Sequence, residues 1–380
     1  FPSVLPRWWA PTFGVDAAGG TYGAMTGGTD VLARHAWGLG AWYSADAREV
    51  GYGATYQGGW SWPLVDASSQ RVVTGSQGLP RRQLVEWTPL SLGATFTHTR
   101  VASEAFARVG WLGTIFRSIE EKSAAPFAGS PHLFEDGFLS ALTLSAAWTN
   151  GRRYTRSISS EEGALALADL QLAEPSIGSD YGASRVRGVL AGYWRLPFAR
   201  HWVLAGRLAG GRAWGSLGGR APYQLGGVSL GEGGPATTTA FPYGGSDDLR
   251  GYGSQSLVGN AFVLGNAELR FPLLRAEVGR TTWPIFLRRV HGAVFVDAGD
   301  AFDAGGELAV ASHRLAPDTV RVGVGAQVTL ELFAAYYVPL ELRLGVARGI
   351  GAPLGRWDGA RPAKDPNEQT QFFILLGPSF

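Results

Sequence analysis

Apolar and polar residues alternate strictly along several stretches of this chain, most clearly between residues 320 and 332. The even positions there are Val320, Val322, Val324, Ala326, Val328, Leu330 and Leu332, and the odd positions are Arg321, Gly323, Gly325, Gln327, Thr329 and Glu331. Successive side chains of a β-strand point to opposite faces, so this period of two predicts a strand with one apolar and one polar face. The run is also longer than the about 5–6 residues typical of strands in soluble proteins.

Similar patterns elsewhere predict fifteen strands, near 19–29, 34–45, 48–60, 69–76, 83–101, 104–118, 136–149, 163–173, 183–198, 201–214, 259–273, 288–302, 319–333, 336–348 and 370–380. We expect one more around Trp8 to Phe13 or from division of a long run. Aromatic residues gather near the ends of the runs, as at Trp42, Tyr43, Trp62 and Trp194, which is typical of the girdles of membrane barrels. The pattern therefore favours an all-β transmembrane antiparallel barrel of about sixteen strands. A soluble antiparallel sandwich or propeller is the alternative, because its strands also alternate.

The composition is consistent with a barrel and excludes several kinds of chemical site. The 380 residues include 55 glycines and 14 tryptophans, only 17% are charged, and the formal net charge is +2. No apolar run approaches the ~18–20 residues of a membrane helix, and the small net charge indicates no nucleic-acid partner. Cysteine is absent, which excludes thiolate metal sites, disulfides and cysteine nucleophiles. The chain opens without a basic and apolar leader, so we expect no signal peptide here.

Residues 215–258 form the longest stretch without a strand pattern, and a loop of that length in a compact fold is usually functional. It contains Gly227-Val228-Ser229-Leu230-Gly231, which matches the G-x-S-x-G elbow of hydrolases. That chemistry needs a strand–turn–helix context with His and an acid nearby, and a glycine-rich chain produces the pattern by chance. The six histidines include no i, i+4 pair, so we expect no metal site, no cofactor and no enzymatic activity.

The same stretch ends in Gly244–Gly253, GGSDDLRGYG, and an alternating strand with a central aspartate, VFVDAGD, follows at Val294–Asp300. The Arg-Gly-aromatic loop and the Phe-x-Asp-x-Gly strand resemble the paired signature of the BamA/TamA surface-antigen superfamily of outer-membrane protein-assembly and translocation barrels. The matching residues are Leu249, Arg250, Gly251 and Tyr252 in the loop and Phe295, Asp297 and Gly299 in the strand. The resemblance implies that the loop folds back into the barrel lumen. There we expect Arg250 to form a partly hydrated ion pair with Asp297, because a shielded guanidinium needs a carboxylate.

The chain ends in Gln371–Phe380, an apolar strand with a terminal aromatic, similar to the recognition signal of bacterial outer-membrane barrels. Phe372, Gly377 and Phe380 are the expected residues of this C-terminal strand and seam. Pro378 has no N–H to donate to a strand partner. We therefore expect incomplete pairing with the first strand, as in the lateral seam that the resembling family uses.

The resemblance implies a bacterial outer-membrane protein that inserts or translocates polypeptides through the seam and the loop-plugged lumen. Its expected partners are outer-membrane lipid, unfolded or secreted polypeptides, and an accessory periplasmic domain or protein. We interpret residues 1–380 as one barrel domain, and we expect a periplasmic N-terminal domain outside this chain. Two alternatives stay open: a passive pore or membrane anchor for a periplasmic domain, and an outer-membrane hydrolase.

Overall fold

The fold is a single antiparallel sheet of sixteen long strands that forms a β-barrel, seen in a computed structural model of the chain. The structure describes residues 5–6, 8–15, 20–32, 34–45, 48–59, 62–76, 83–118, 136–154, 156–215, 223–227, 246–247, 249–253, 256–279, 282–305, 313–335, 338–353, 357–358, 361–362 and 369–378. Among these residues, no helix is long and apolar enough to cross a membrane.

Each strand of the sheet pairs with its neighbour in chain order. The wall strands are β1 (Trp8–Val15), β2 (Gly20–Thr29), β3 (His35–Ser44), β4 (Glu49–Gly58), β5 (Leu64–Ser76), β6 (Gln83–Arg100), β7 (Ser103–Ser118), β8 (Gly137–Thr149), β9 (Gly163–Leu172), β10 (Ser184–Arg195), β11 (Val203–Trp214), β15 (Ala261–Gly279), β16 (Ile285–Phe302), β17 (Arg321–Ala334), β18 (Val338–Gly349) and β21 (Thr370–Pro378). Every strand predicted from the sequence overlaps one of these sixteen.

Short strands lie in the connections between wall strands. Between β11 and β15 they are β12 (Tyr223–Leu225), β13 (Ser246–Asp247) and β14 (Leu257–Gly259), which form a three-stranded sheet. Tyr223 is buried, and its ring centre lies 4.8 Å from that of Phe262 of β15, with the two rings tilted by 45°. Its hydroxyl donates to the Val186 carbonyl of β10 at 2.8 Å. This part of the long connection therefore packs against the wall. A further short pair, β19 (Trp357–Asp358) and β20 (Arg361–Pro362), lies between β18 and β21.

The register of β16 and β17 fixes which face of the wall is the lumen. Asp297 pairs with Gly323, and Arg289 pairs with Glu331. These odd positions are buried, whereas Val294, Val296 and Val328 are more than a third exposed on the opposite face. Because a barrel strand presents lipid and lumen alternately, the odd residues of β17 face the lumen, as the alternation predicted.

The two ends of the barrel differ in their connections. At one end the connections are mostly short, as at 101–102 and 335–337, and at the other they extend to 119–136, 215–260 and 303–320. Bacterial outer-membrane barrels place short turns on the periplasmic side. Exposed Trp62, Trp148, Trp194 and Trp283 ring the short-connection end, which matches the expected aromatic girdle.

The sheet of the barrel is not closed between its first and last strands in the part of the chain that the structure describes. Among the described residues, β1 and β21 have no ladder between them, so each is an edge strand of the sheet. Each carries a proline, Pro11 and Pro378. Proline removes a ladder donor and is found on edge strands for that reason. The gap lies where the sequence predicted incomplete pairing.

Candidate functional site

Arg250 and Asp297 meet inside the barrel in a two-pronged ion pair. The Arg250 Nε lies 2.6 Å from Asp297 Oδ2, and its Nη2 lies 2.7 Å from Oδ1. The backbone N–H of Arg250 also donates to Oδ2 at 3.2 Å. Arg250 is 7% exposed and Asp297 0%, so the pair is drier than the partly hydrated pair expected. Such bidentate, charge-assisted hydrogen bonds are strong, and they also set the orientation of the two side chains.

A second carboxylate that the sequence did not reveal completes the Arg250 site. Glu268 of β15 places Oε1 2.8 Å from Arg250 Nη1, and the guanidinium carbon lies 3.4 Å from the centre of the Phe295 ring. Burial alone would lower the pKa of Arg250, but hydrogen bonding and charge from Asp297 and Glu268 outweigh it and raise that pKa above its usual value. Glu268 pairs in register with Phe295, so only the strand pairing shows that it belongs to the site.

The loop backbone lies close to the wall at two glycines, Gly251 of the loop and Gly323 of β17. Gly251 has a φ of 94°, and a Cβ there would lie 2.4 Å from the Arg348 carbonyl carbon of β18. A Cβ on Gly323 of β17 would lie 1.9 Å from the Arg250 carbonyl oxygen. Only glycine fits both positions, because each lacks room for a side chain and Gly251 also needs a left-handed backbone.

Tyr252 packs on the inner wall with no exposed surface, and Leu249 beside it is equally buried. The Tyr252 hydroxyl donates to the carbonyl of Val322 at 3.0 Å and accepts the Gly351 N–H at 3.0 Å. Gln371 of β21 accepts the Gly251 N–H at 2.9 Å and donates to the Tyr252 carbonyl. The loop therefore bonds to the last strand of the sheet, a contact that sequence reasoning missed.

The family model described as the Omp85 superfamily domain matches residues 46–347 of the chain. The chain belongs to the Omp85 superfamily. This Omp85 protein is accordingly a β-barrel of the bacterial outer membrane, as the two sequence motifs predicted. No curated protein matches the sequence significantly.

Solved structures agree with the fold of this Omp85 barrel. CdiB from Escherichia coli is similar at 13% identity and a TM-score of 0.53, with 98% of this chain and 62% of that chain covered. CdiB from Acinetobacter baumannii is similar at 12% identity and a TM-score of 0.50, with 98% and 60% covered. The chain thus spans about three fifths of the length of either protein.

The strand and seam residues predicted from the sequence lie on both faces of the barrel wall, some toward the lumen and some exposed on the outside. Phe295 lies under Arg250, and Gly299 lies two residues beyond Asp297 on the lumen face. Phe372 is 83% exposed, whereas its neighbour Phe373 is buried in a cluster with Ala347 and Phe295. Gly377 pairs with Glu341 of β18, and Phe380 lies outside the described residues.

The residues considered for hydrolytic or metal chemistry are not brought together in the part of the chain that the structure describes. Ser229 and His132 lie outside the described residues. His313 pairs with Asp300 at 3.0 Å and His201 with Glu161 at 2.6 Å. Within the described ranges, no group of three His, Asp or Glu side chains could hold a metal ion.

Proposed function

We propose that this Omp85 barrel moves polypeptide into or across the outer membrane, using its lumen and the gap between β1 and β21. The open edge carries the proposal, because two strands with unpaired backbone groups at the membrane can pair with a strand of another polypeptide. Pro11 and Pro378 keep those edges from forming a complete ladder with each other.

The anchored loop supports a role for the lumen as well as the edge. Arg250 joins the loop to Asp297 of β16 and Glu268 of β15, while Tyr252 and Gln371 join it to β17 and β21. One loop thus contacts the wall and the last strand together. We infer that loop position and edge geometry are coupled, so that a polypeptide at the gap and the loop affect one another.

Cross-linking the gap tests the proposal. The chain has no native cysteine, so a pair with one cysteine in β1 and one in β21 forms the only disulfide. The control is Val346→Cys with Phe372→Cys, which joins β18 and β21 where they already pair. In proteoliposomes, two activities are measured: insertion of an unfolded barrel and passage of a secreted polypeptide. We expect the β1–β21 disulfide to stop whichever of these activities the uncross-linked protein shows.

Reduction should restore the activity, and the control disulfide should leave it unchanged. Full activity with the β1–β21 gap cross-linked would contradict the proposal and favour the passive pore or anchor. Loss of activity in the β18–β21 control as well would show that any disulfide at β21 is harmful, and it would remove the support for the gap. An accessory periplasmic domain or protein stays a prediction of the resemblance.

A further inference from the structure

The connection between β8 and β9 is the longest at the short-connection end, and the structure describes it at residues 150–154 and 156–162. We call these residues the shelf. It begins as an extension of the β8–β9 hairpin, where Arg152 and Glu162 form a β-bridge. Ser157, Ile158 and Glu161 are buried. A turn this long and this well packed contrasts with the neighbouring connections of this end.

Two internal bonds and one to the neighbouring turn give the shelf a fixed shape. Glu161 is 1% exposed and accepts the Ser157 hydroxyl at 2.8 Å, and its Oε1 lies 2.6 Å from His201 Nδ1 in the β10–β11 connection. The Tyr154 N–H donates to Ser157 Oγ at 2.7 Å. Buried polar groups that are satisfied in this way hold a unique arrangement.

The far side of the shelf is bound to a distant strand of the wall. Arg289 of β16, whose side chain faces the lumen, donates to the Ser157 carbonyl, and its Nε lies 2.6 Å from Glu331. β9 and β16 are separated by β10, β11 and β15. Four strand spacings of ~4.8 Å amount to about 19 Å of wall, so the shelf crosses the inner face of three strands at the mouth.

The exposed surface of the shelf is basic. Arg152, Arg153 and Arg156 are exposed, whereas Glu161 is buried against His201 and Glu162 is paired with Arg195 at 3.1 Å. We propose that the shelf narrows the short-connection mouth of the lumen and that its arginines make this mouth selective for anionic segments of polypeptide. The identification of polypeptide as the occupant of the mouth rests on the proposed function. The selectivity of the mouth for negative charge does not depend on it.

A single cysteine beyond the shelf measures that selectivity directly. Gln327 lies on the lumen face of β17, four residues deeper than Glu331, or about 13 Å along the strand. In the otherwise cysteine-free protein, Gln327→Cys is reacted with anionic and cationic methanethiosulfonates of similar size in lipid nanodiscs. We expect the anionic reagent to react faster, relative to a free thiol, and the preference to shrink at 1 M salt, where the screening length is about 3 Å.

Charge reversal distinguishes the effect of the shelf arginines from the effect of the overall electrostatic field of the protein. Arg153→Glu with Arg156→Glu should lower the anionic-to-cationic rate ratio on the order of tenfold, the lower range for focusing by a charged cleft. Arg34→Glu, an exposed arginine of the β2–β3 connection at the same end, should change it less than about twofold. An unchanged ratio in the double variant, or an equal change with Arg34→Glu, would overturn the proposal.

Releasing the shelf tests the constriction. Arg289→Gln should raise the rates of both reagents together, whereas Arg288→Gln, the half-exposed neighbour, should not. Barrel folding is checked by heat-dependent gel migration, and Arg289→Met, which has a long side chain without a donor, serves if the glutamine variant does not fold. Poly-glutamate should slow labelling of Gln327→Cys by a neutral maleimide more than poly-lysine does. Equal slowing would overturn anionic selectivity without touching the cross-linking test of transport.

Discussion

Removal of Arg250 should release the loop from the wall, and the structure allows the cost to be worked out. The substitution Arg250→Ala leaves Asp297, which is 0% exposed, and Glu268 without their shared cation. Breaking a buried ion pair by deleting one partner costs ~3–5 kcal/mol. Asn266 still donates to Asp297 Oδ1 at 2.8 Å, so we expect the lower value, about 3 kcal/mol.

Removal of Asp297 should cost less, because Arg250 keeps its ion pair with Glu268 at 2.8 Å. We expect about 1.5–2 kcal/mol for Asp297→Asn, roughly half the cost of a fully broken pair. The double variant should be little worse than Arg250→Ala alone, because residues in one ion-pair network are strongly non-additive. A loop held by independent contacts would instead show the sum of both costs.

The assay is the labelling rate of a buried reporter, Leu249→Cys, which becomes reactive only when the loop opens. Each 1.4 kcal/mol corresponds to a tenfold change in the open population. Arg250→Ala should therefore speed labelling about a hundredfold and Asp297→Asn about tenfold.

Arg343→Ala is the matched control, since this partly exposed arginine pairs with Glu341 at 3.1 Å. A pair of that kind is worth ~0–1 kcal/mol, so labelling should change less than about fivefold. Equal effects of Arg250→Ala and Arg343→Ala would refute the view that the buried pair holds the loop.

Three further outcomes follow from the same geometry. Val328→Arg on the lipid face should lower the free energy of unfolding by ~2–4 kcal/mol near the midplane, and Gln327→Arg on the lumen face should lower it much less. Refolding into vesicles measures both variants, and equal costs would contradict the register. Gly323→Ala should displace the loop from the wall at a cost of ~1–3 kcal/mol. Gly188→Ala should be tolerated, because a Cβ there would meet nothing closer than 3.8 Å. Labelling of Leu249→Cys measures both variants. Gln371→Ala removes two bonds to the loop and should speed that labelling about tenfold, at ~1–1.5 kcal/mol for the pair; an unchanged rate would show that β21 does not hold the loop.

The sequence alone determined where the wall strands lie and, in the runs that alternate clearly, which face meets lipid. The run from Val320 to Leu332 shows this, because alternation is a property of neighbouring residues and needs no knowledge of distant contacts. The sequence did not determine every strand end, because the strand predicted at 259–273 continues to Gly279, past register shifts that begin at Pro272. A bulge accommodates proline within a strand, and bulges leave no clear local pattern.

The ion pair between Arg250 and Asp297 was also predictable, since both residues stand in recognisable motifs and a shielded guanidinium requires a carboxylate. Its dryness and its second carboxylate, Glu268, were not. They depend on how β15 pairs with β16 and on how closely Gly323 lets the loop approach. Those distances are set by pairing between segments far apart in the chain.

Tertiary structure alone decided the bonds from Gln371 to the loop and the shelf that Arg289 holds across the mouth. Ser157 and Arg289 are 132 residues apart, and nothing in the sequence around either one indicates the other. They meet because strand order and curvature bring one end of β16 opposite the β8–β9 connection. A period of two records the face of a strand, but it carries no information about which residues face each other across a lumen.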